Sequence, residues 1–435
     1  MSNVSFVRTE MLAQQAPPAT AVGFIGWVRE NLFSGWFNTI LTLISVYVLY
    51  AILAAILPWI ISPTWNATSL NECREILAAA GSTGEHGVSG ACWGVIRDRW
   101  LQLMFGFYPA ELYWRPILTF ALLLVAIAPV LFDKLPRKML YFSAVFPFLF
   151  PWLMWGGTIW TPITAALGFV IGFFAYRIVS GLAGSLAGVI AAALLPIIWW
   201  LLLASPVAGA LSSTLPIGIE EVISRQFGGF MLSITIGVVA IACSLPLGVV
   251  LALGRQSDLL IVKAICVGFI EFIRGVTLIT LLFVASTLLN IFMPPGTSFD
   301  IILRVIIMVT LFAAAYMAEV VRGGLAALPS GQYEAADALG LDYWKAQRLI
   351  IMPQALKISI PGIVSTFIGV FKDTTLVSII GLLDPLGLSN AIRADSDWNG
   401  IVWEIYGFIA LLFFVFCFSM SRYSMYLERK LKTTH

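Results

Sequence analysis

Roughly ten stretches of about 20 apolar residues, each nearly free of charge, recur along this 435-residue chain and dominate what it can become. They run over about 37–62, 116–133, 139–157, 161–179, 183–204, 227–254, 259–289, 301–321, 354–382 and 402–421. A helix of about 20 residues rises about 30 Å, the hydrocarbon thickness of a bilayer. Backbone groups inside lipid meet no water, so each crossing must satisfy its own amides and carbonyls, which a helix does. The ten-residue alternation of a membrane β-barrel is absent. The expected fold is an all-α integral membrane protein with about ten transmembrane helices. Only 11% of residues are charged, against about 25% in soluble domains, so most of the surface is expected to face lipid.

Lysine and arginine placement orients the spans. With the N-terminus inside, the inner segments carry 16 Lys/Arg and the outer segments six: Arg74, Arg97, Arg99, Arg115, Arg225 and Arg393. Both termini are therefore expected in the cytoplasm. Residues 1–36 form a cytoplasmic tail without the short apolar core and cleavage site of a signal peptide, so the first span is expected to be retained. Residues 37–226 hold five spans and a long outer loop, 63–115. Residues 227–435 hold five more, with a cytoplasmic loop at 322–353.

Composition also excludes. A net charge of +2 supplies no basic face for nucleic acid. Two histidines, His86 and His435, and five cysteines without a Cys-x-x-Cys give no zinc or haem set. No Gly-Lys pair exists, so the phosphate-cradling loop of an ATPase is not in this chain. The expectation is no catalytic residue, no metal and no resident cofactor.

The loop at 322–353 has its own grammar. Glu334 lies in the first turn of a short helix that Ser330 or Gly331 can cap, and its charge suits the helix dipole. Ala335, Ala336, Ala338 and Leu339 favour helix, and Gly340 can end it in a left-handed cap. Asp342 can cap a second helix running to Met352, which Pro353 stops or hands to the next span. The product is a stiff elbow at the membrane surface.

Glu334, Ala335, Ala336, Gly340, Ile350 and Pro353 resemble the EAA loop of bacterial ABC importer permeases, with Met352 standing for its leucine. Ala318 to Gly324 (Ala-Glu-Val-Val-Arg-Gly-Gly), Phe371 to Leu376 (Phe-Lys-Asp-Thr-Thr-Leu) and Glu271 to Gly275 (Glu-Phe-Ile-Arg-Gly) resemble segments of the polar amino-acid permeases. Thr277 stands where that family has proline. The likeness covers 227–435. Ala91-Cys92-Trp93 and Gly106-Phe107-Tyr108-Pro109, with the extra N-terminal spans, resemble the M-type permease of general L-amino acid transporters. The resemblance implies a five-helix permease core in the inner membrane, moving L-amino acids inward. It implies a second permease chain, by subfamily likeness a different one, two ATP-binding subunits that carry ATP and Mg and grip the EAA helices, and a periplasmic binding protein. The alternative is an ion-coupled secondary transporter without an ATPase. No repeat relates the two halves, which disfavours it.

Charges inside spans are candidates for the solute pathway. Glu271 and Arg274, three apart, share a helix face and can pair. Asp373 sits beside Lys372 in the ninth span, with hydroxyls at Thr374, Thr375 and Ser378. Their bland alternative is a structural ion pair in each place. Cys73 and Cys92 in the outer loop face an oxidising compartment and are expected to form a disulfide, the alternative being two buried thiols. Trp155, Trp160, Trp199 and Trp200 are expected at the outer ends of spans.

Overall fold

A computed structural model describes residues 23–61, 64–80, 83–84, 87–88, 90–132, 134–288, 291 and 300–431. Tail residues 1–22, the two histidines, Lys432 and the end of the stretch expected at 259–289 lie outside the described residues. The chain parts into two compact units, Met1–Gly94 and Val95–His435. The expected boundary at 226/227 is not where they divide.

The first unit holds α1 (Gly23–Leu32), α2 (Trp36–Ile61) and α3 (Leu70–Ala79). α2 is apolar on every side and buries no residue, the pattern of a helix whose solvent is lipid all round. α3 begins at Ser69, whose hydroxyl accepts the Glu72 N–H at 3.2 Å. Glu72 in return accepts the N–H and hydroxyl of Thr68, which hold its carboxyl below the usual range. Cys73 and Cys92 are joined by a disulfide, with Cα atoms 6.0 Å apart and both side chains buried. Closing a loop of this length removes denatured-state freedom equivalent to about 3 kcal/mol. Cys73→Ser is therefore expected to lower the resistance of residues 64–94 to proteolysis under non-reducing conditions. Reductant should do the same to the wild type and nothing further to the variant.

The second unit holds α4 (Gly94–Phe105), α5 (Trp114–Leu131), α6 (Met139–Trp155), α7 (Trp160–Ala183), α8 (Ser185–Ile198), α9 (Ala204–Thr214), α10 (Gly229–Arg255), α11 (Leu260–Gly275) and α12 (Leu278–Phe283). It continues with α13 (Ile301–Ala326), α14 (Gly331–Ala338), α15 (Tyr343–Ala346), α16 (Met352–Asp373), α17 (Pro385–Arg393) and α18 (Trp403–Leu431). By length and composition, eight described helices can cross a membrane, or nine if one bent pair counts as a single span. The expected count of ten is reached only by adding α6, which has 17 residues and carries Pro147 and Pro151.

The bent pair corrects the seventh expected span. α11 and the following helix meet at 101°. The break falls at Val276 and Thr277, both extended, and the Thr277 hydroxyl accepts the Thr280 N–H at 3.5 Å. A threonine cap thus opens the new helix. The fifth expected span also runs further, to Thr214, through a wide π-type turn at Trp199–Leu203. Trp199 and Trp200 consequently sit inside that helix rather than at its outer end. Their indole N–H groups donate to the carbonyls of Thr164 and Ala165 on α7 at 2.8 and 3.0 Å.

α10 and α13 form the central pair. Gly237, Ala240, Ser244, Gly248 and Ala252 make a small-residue stripe along α10, and Gly248 lies against Met317 and Ala318 of α13. Helices before residue 227 join this core: Leu123 and Ala126 of α5 and Phe146, Phe150 and Met154 of α6 are buried in one cluster with Phe227, Met231, Val305 and Val370.

Candidate functional site

The elbow is built between α13 and α16. α14 packs through Ala336, which is fully buried, and through Tyr333, which joins the cluster of Ala252, Met317, Val321, Leu325, Ile351 and Ala355. Gln354 Nε2 donates to Gln332 Oε1 at 3.0 Å and ties the elbow to α16. Ser330 occupies the cap position but makes no side-chain cap bond, contrary to the capping role open to it from sequence. Its backbone is already helical, with φ −56° and ψ −31°, which removes the extended geometry a capping hydroxyl needs.

Gly340 ends α14 with φ 66°. Its N–H donates to Asp337 O at 2.9 Å, and the Leu341 N–H donates to Ala336 O at 3.2 Å. This pair of bonds is the Schellman closure, which needs a left-handed residue at Gly340. Asp342 then caps α15: its carboxylate accepts the Lys345 N–H at 2.9 Å and pairs with the Lys345 ammonium at 3.0 Å. The Lys345 backbone bond, with its ammonium, holds the Asp342 carboxyl below its usual range.

Pro353 does not stop the second helix. α15 runs through a wide turn at Gln347–Ile351 into α16, with Pro353 in the first turn of α16. A proline ring clashes with the carbonyl four residues back and has no N–H to give. The wide turn absorbs both defects, so one helical path continues from Tyr343 to Ile380.

The face left open comprises Glu334, Ala335, Leu339, Gly340, Tyr343 and Trp344. Leu339 is 72% exposed and Trp344 71%, with Tyr343 set edge-on to Trp344. A rigid elbow carrying apolar side chains outside its own core has the makings of a docking face.

One to two turns before the elbow lies a charged hub. Glu319 on α13 is only 16% exposed and is met by three arginines. It pairs with Arg255 at the end of α10, with Arg322 Nε at 2.8 Å, and with Arg274 Nη1 of α11 at 3.8 Å. Arg255 also reaches Glu271 Oε1 at 3.1 Å. Arg274 lies 5.6 Å from the centroid of Tyr316. Glu271 and Arg274 therefore do not pair with each other, as their spacing suggested. Each turns to a different helix, because Arg255 and Glu319 offer closer partners. Arg255 and Glu319 are the residues that sequence reading missed as partners. The available signal was an acid inside a span with arginines near the ends of neighbouring spans.

The other candidates lie apart. α16 ends at Asp373, and the chain tightens through Thr374–Ile380 before Gly381 turns it. The hydroxyls expected as free donors are engaged: Thr374 donates to Phe371 O at 2.8 Å, Thr375 to Lys372 O at 2.9 Å and Ser378 to Thr375 O at 3.0 Å. Among the described residues, no ion pair joins Asp373 to Lys372 or Arg274.

Asp384 begins α17 and is fully buried, accepting the N–H groups of Gly387 and Leu386 at 2.8 and 3.2 Å. Burial outweighs these bonds and pushes its carboxyl up to about 6 from 3.8. A raised acid binds its proton more tightly folded than unfolded. The destabilisation is absent below pH 3.8, grows through the interval and is complete above about 6, reaching on the order of 3 kcal/mol. Thermal unfolding in detergent should show Asp384→Asn matching the wild type near pH 4 and exceeding it at pH 7. Parallel curves would count against the assignment.

Residues 244–433 match the family described as binding-protein-dependent transport system inner membrane component. Over its whole length the chain is 59% identical to the glutamate/glutamine/aspartate/asparagine transport system permease protein BztC of Rhodobacter capsulatus, all of which is covered. This chain belongs to the amino-acid ABC transporter permeases. It is 40% identical, over 94% of its length and 93% of the relative's, to the inner membrane amino-acid ABC transporter permease protein YhdY of Escherichia coli. The probable glutamine ABC transporter permease protein GlnP of Bacillus subtilis is 28% identical and covers 48% of this chain with 94% of its own. The chain is thus the membrane-spanning permease subunit of an ATP-driven amino-acid importer and is not itself the catalytic subunit. These relatives give no support to an ion-coupled transporter working without an ATPase.

Proposed function

We propose that this permease carries polar L-amino acids of the acidic and amide class, glutamate, glutamine, aspartate and asparagine, across the inner membrane into the cytoplasm. The observation that carries this reading is the full-length 59% identity to the Rhodobacter capsulatus permease of that printed specificity. The chain works beside a second, different permease chain, two ATP-binding subunits that hold ATP and Mg, and a periplasmic binding protein. Both termini lie in the cytoplasm, as the lysine and arginine asymmetry favours. The elbow bearing Glu334, Ala335, Ala336 and Gly340 seats in the ATPase. Closure of the ATPase pair drives it as a rigid body, for which the Schellman closure and the unbroken path through Pro353 supply stiffness.

The test is uptake of labelled amino acids by the full complex in proteoliposomes with ATP inside. Glutamate, glutamine, aspartate and asparagine should be carried, with leucine and lysine at least tenfold slower. Equal uptake of all six would overturn the substrate class, and uptake without the ATPase would overturn the whole reading. Asp373 and Glu271 line the solute path in this reading. Asp373→Asn and Glu271→Gln should each alter the apparent affinity for at least one substrate, and unchanged affinity for every substrate would remove them from the path.

A further inference from the structure

Two basic clusters distant in sequence flank one contact, that of Tyr423 on α18 with Leu131 and Phe132 at the end of α5. The first is Lys134, Arg137 and Lys138, in the seven-residue connection from Phe132 to Lys138 between α5 and α6. The second is Arg422, Arg429 and Lys430 on the last turns of α18. The Tyr423 hydroxyl donates to Leu131 O at 2.6 Å, and the Tyr423 ring sits edge-on to Phe132 at 6.2 Å. Those contacts bring the start of the connection against α18 at Tyr423, about two turns before the helix ends.

The axial position follows from length and charge together. α18 has 29 residues, a rise of about 43 Å, whereas about 20 residues suffice to cross hydrocarbon. The stretch between Glu404 and Arg422 carries no charge and Arg422, Glu428, Arg429 and Lys430 follow it, so the excess length and the last turns fall at the headgroup level. Arg422 and Arg429, seven apart, share one face, while Tyr423, Tyr426 and Lys430 share the face turned to Phe132. Lys430 lies 6.0 Å from the Tyr426 ring centroid. Lys134, Arg137, Lys138, Arg422 and Arg429 are all exposed. The nearby acids in sequence are Glu428 and Asp133, the latter outside the described residues. Aromatic rings flanked by two groups of exposed cations match an anionic headgroup with its acyl chains alongside.

We propose that this face holds the phosphodiester headgroup of an anionic phospholipid, bound between the α5–α6 connection and the end of α18. Each cation raises retention of an anionic lipid roughly fivefold. The alternative that these charges serve topology alone accounts for either cluster separately, but not for their being tied together.

The test uses the full complex purified in detergent and reconstituted in vesicles of phosphatidylcholine with or without phosphatidylglycerol. Arg422→Gln with Arg429→Gln leaves the topology-setting charges of the connection in place. This pair should lose co-purified phosphatidylglycerol in native mass spectrometry by at least tenfold, and should lose the rise in uptake on adding phosphatidylglycerol, while uptake in pure phosphatidylcholine is kept. Arg422→Lys with Arg429→Lys should retain both. Unchanged lipid retention in the Gln pair overturns the proposal. Displacement of the lipid by millimolar inorganic phosphate would make this a free-anion site and overturn it too. Loss of the ATP-binding subunit from the Gln pair in phosphatidylcholine would show that the face docks protein instead.

Discussion

Glu319→Gln is expected to reduce uptake at least tenfold while the chain still reaches the membrane. Glu319 is the single acid shared by Arg255, Arg274 and Arg322, so its loss leaves three guanidinium groups gathered around one place. Removing one partner from a fully buried ionic network costs about 3–5 kcal/mol. The arginines here are a quarter to nearly half exposed, so solvent screening reduces that figure to about 1–3 kcal/mol. This cost falls on the packing of α10, α11 and α13 just above the elbow, where a shift of about 1 Å would misplace the docking face. The double variant Glu319→Gln with Arg322→Gln restores the original charge balance. It should recover much of the uptake, with a coupling energy of about 1 kcal/mol or more in the mutant cycle. Normal uptake by Glu319→Gln would show the hub to be dispensable.

The second large effect is expected at Gly340. Its φ of 66° is open to glycine, tolerable for asparagine and hostile to a β-branched side chain. Gly340→Val should cost about 1–3 kcal/mol locally and open the bond from Leu341 to Ala336. No neighbour lies where its Cβ would go, so the strain comes from the backbone and not from crowding. Uptake per hydrolysed ATP should fall steeply in Gly340→Val and modestly in Gly340→Asn, with Gly340→Ala between them. Equal defects in the Asn and Val variants would mean that the position acts through side-chain size at the docking face, not through the turn.

The elbow was legible because its determinants are local. Asp342 caps whatever follows it, and a glycine ending a run of alanines closes a helix wherever that helix lies. Pro353 left two outcomes open, a stop or the start of the next span, and the second holds, with the proline in the first turn of α16. A local rule ends a helix at proline, but the wide turn at Gln347–Ile351 repairs the defect at a cost the surrounding packing absorbs. At Thr277 no proline is present, yet the chain breaks by 101°, because the break needs a capped start and two extended residues and not proline itself.

By itself the sequence determined the membrane class, because charge-free runs of about 20 residues admit no other solvent. It determined the elbow with its glycine closure, since that depends on residues close together in the chain. Only the tertiary structure decided the partners of the intramembrane charges. Glu271 had Arg274 within reach on its own helix, yet three helices crossing near Glu319 offered both residues other partners. Only the tertiary structure showed that α5 and α6 share a core with α10 and α13, because apolar helices carry no mark of which neighbour they will meet. In lipid the hydrophobic effect does not choose between protein and solvent, so the choice falls to shape and small-residue contact, which a linear pattern does not display.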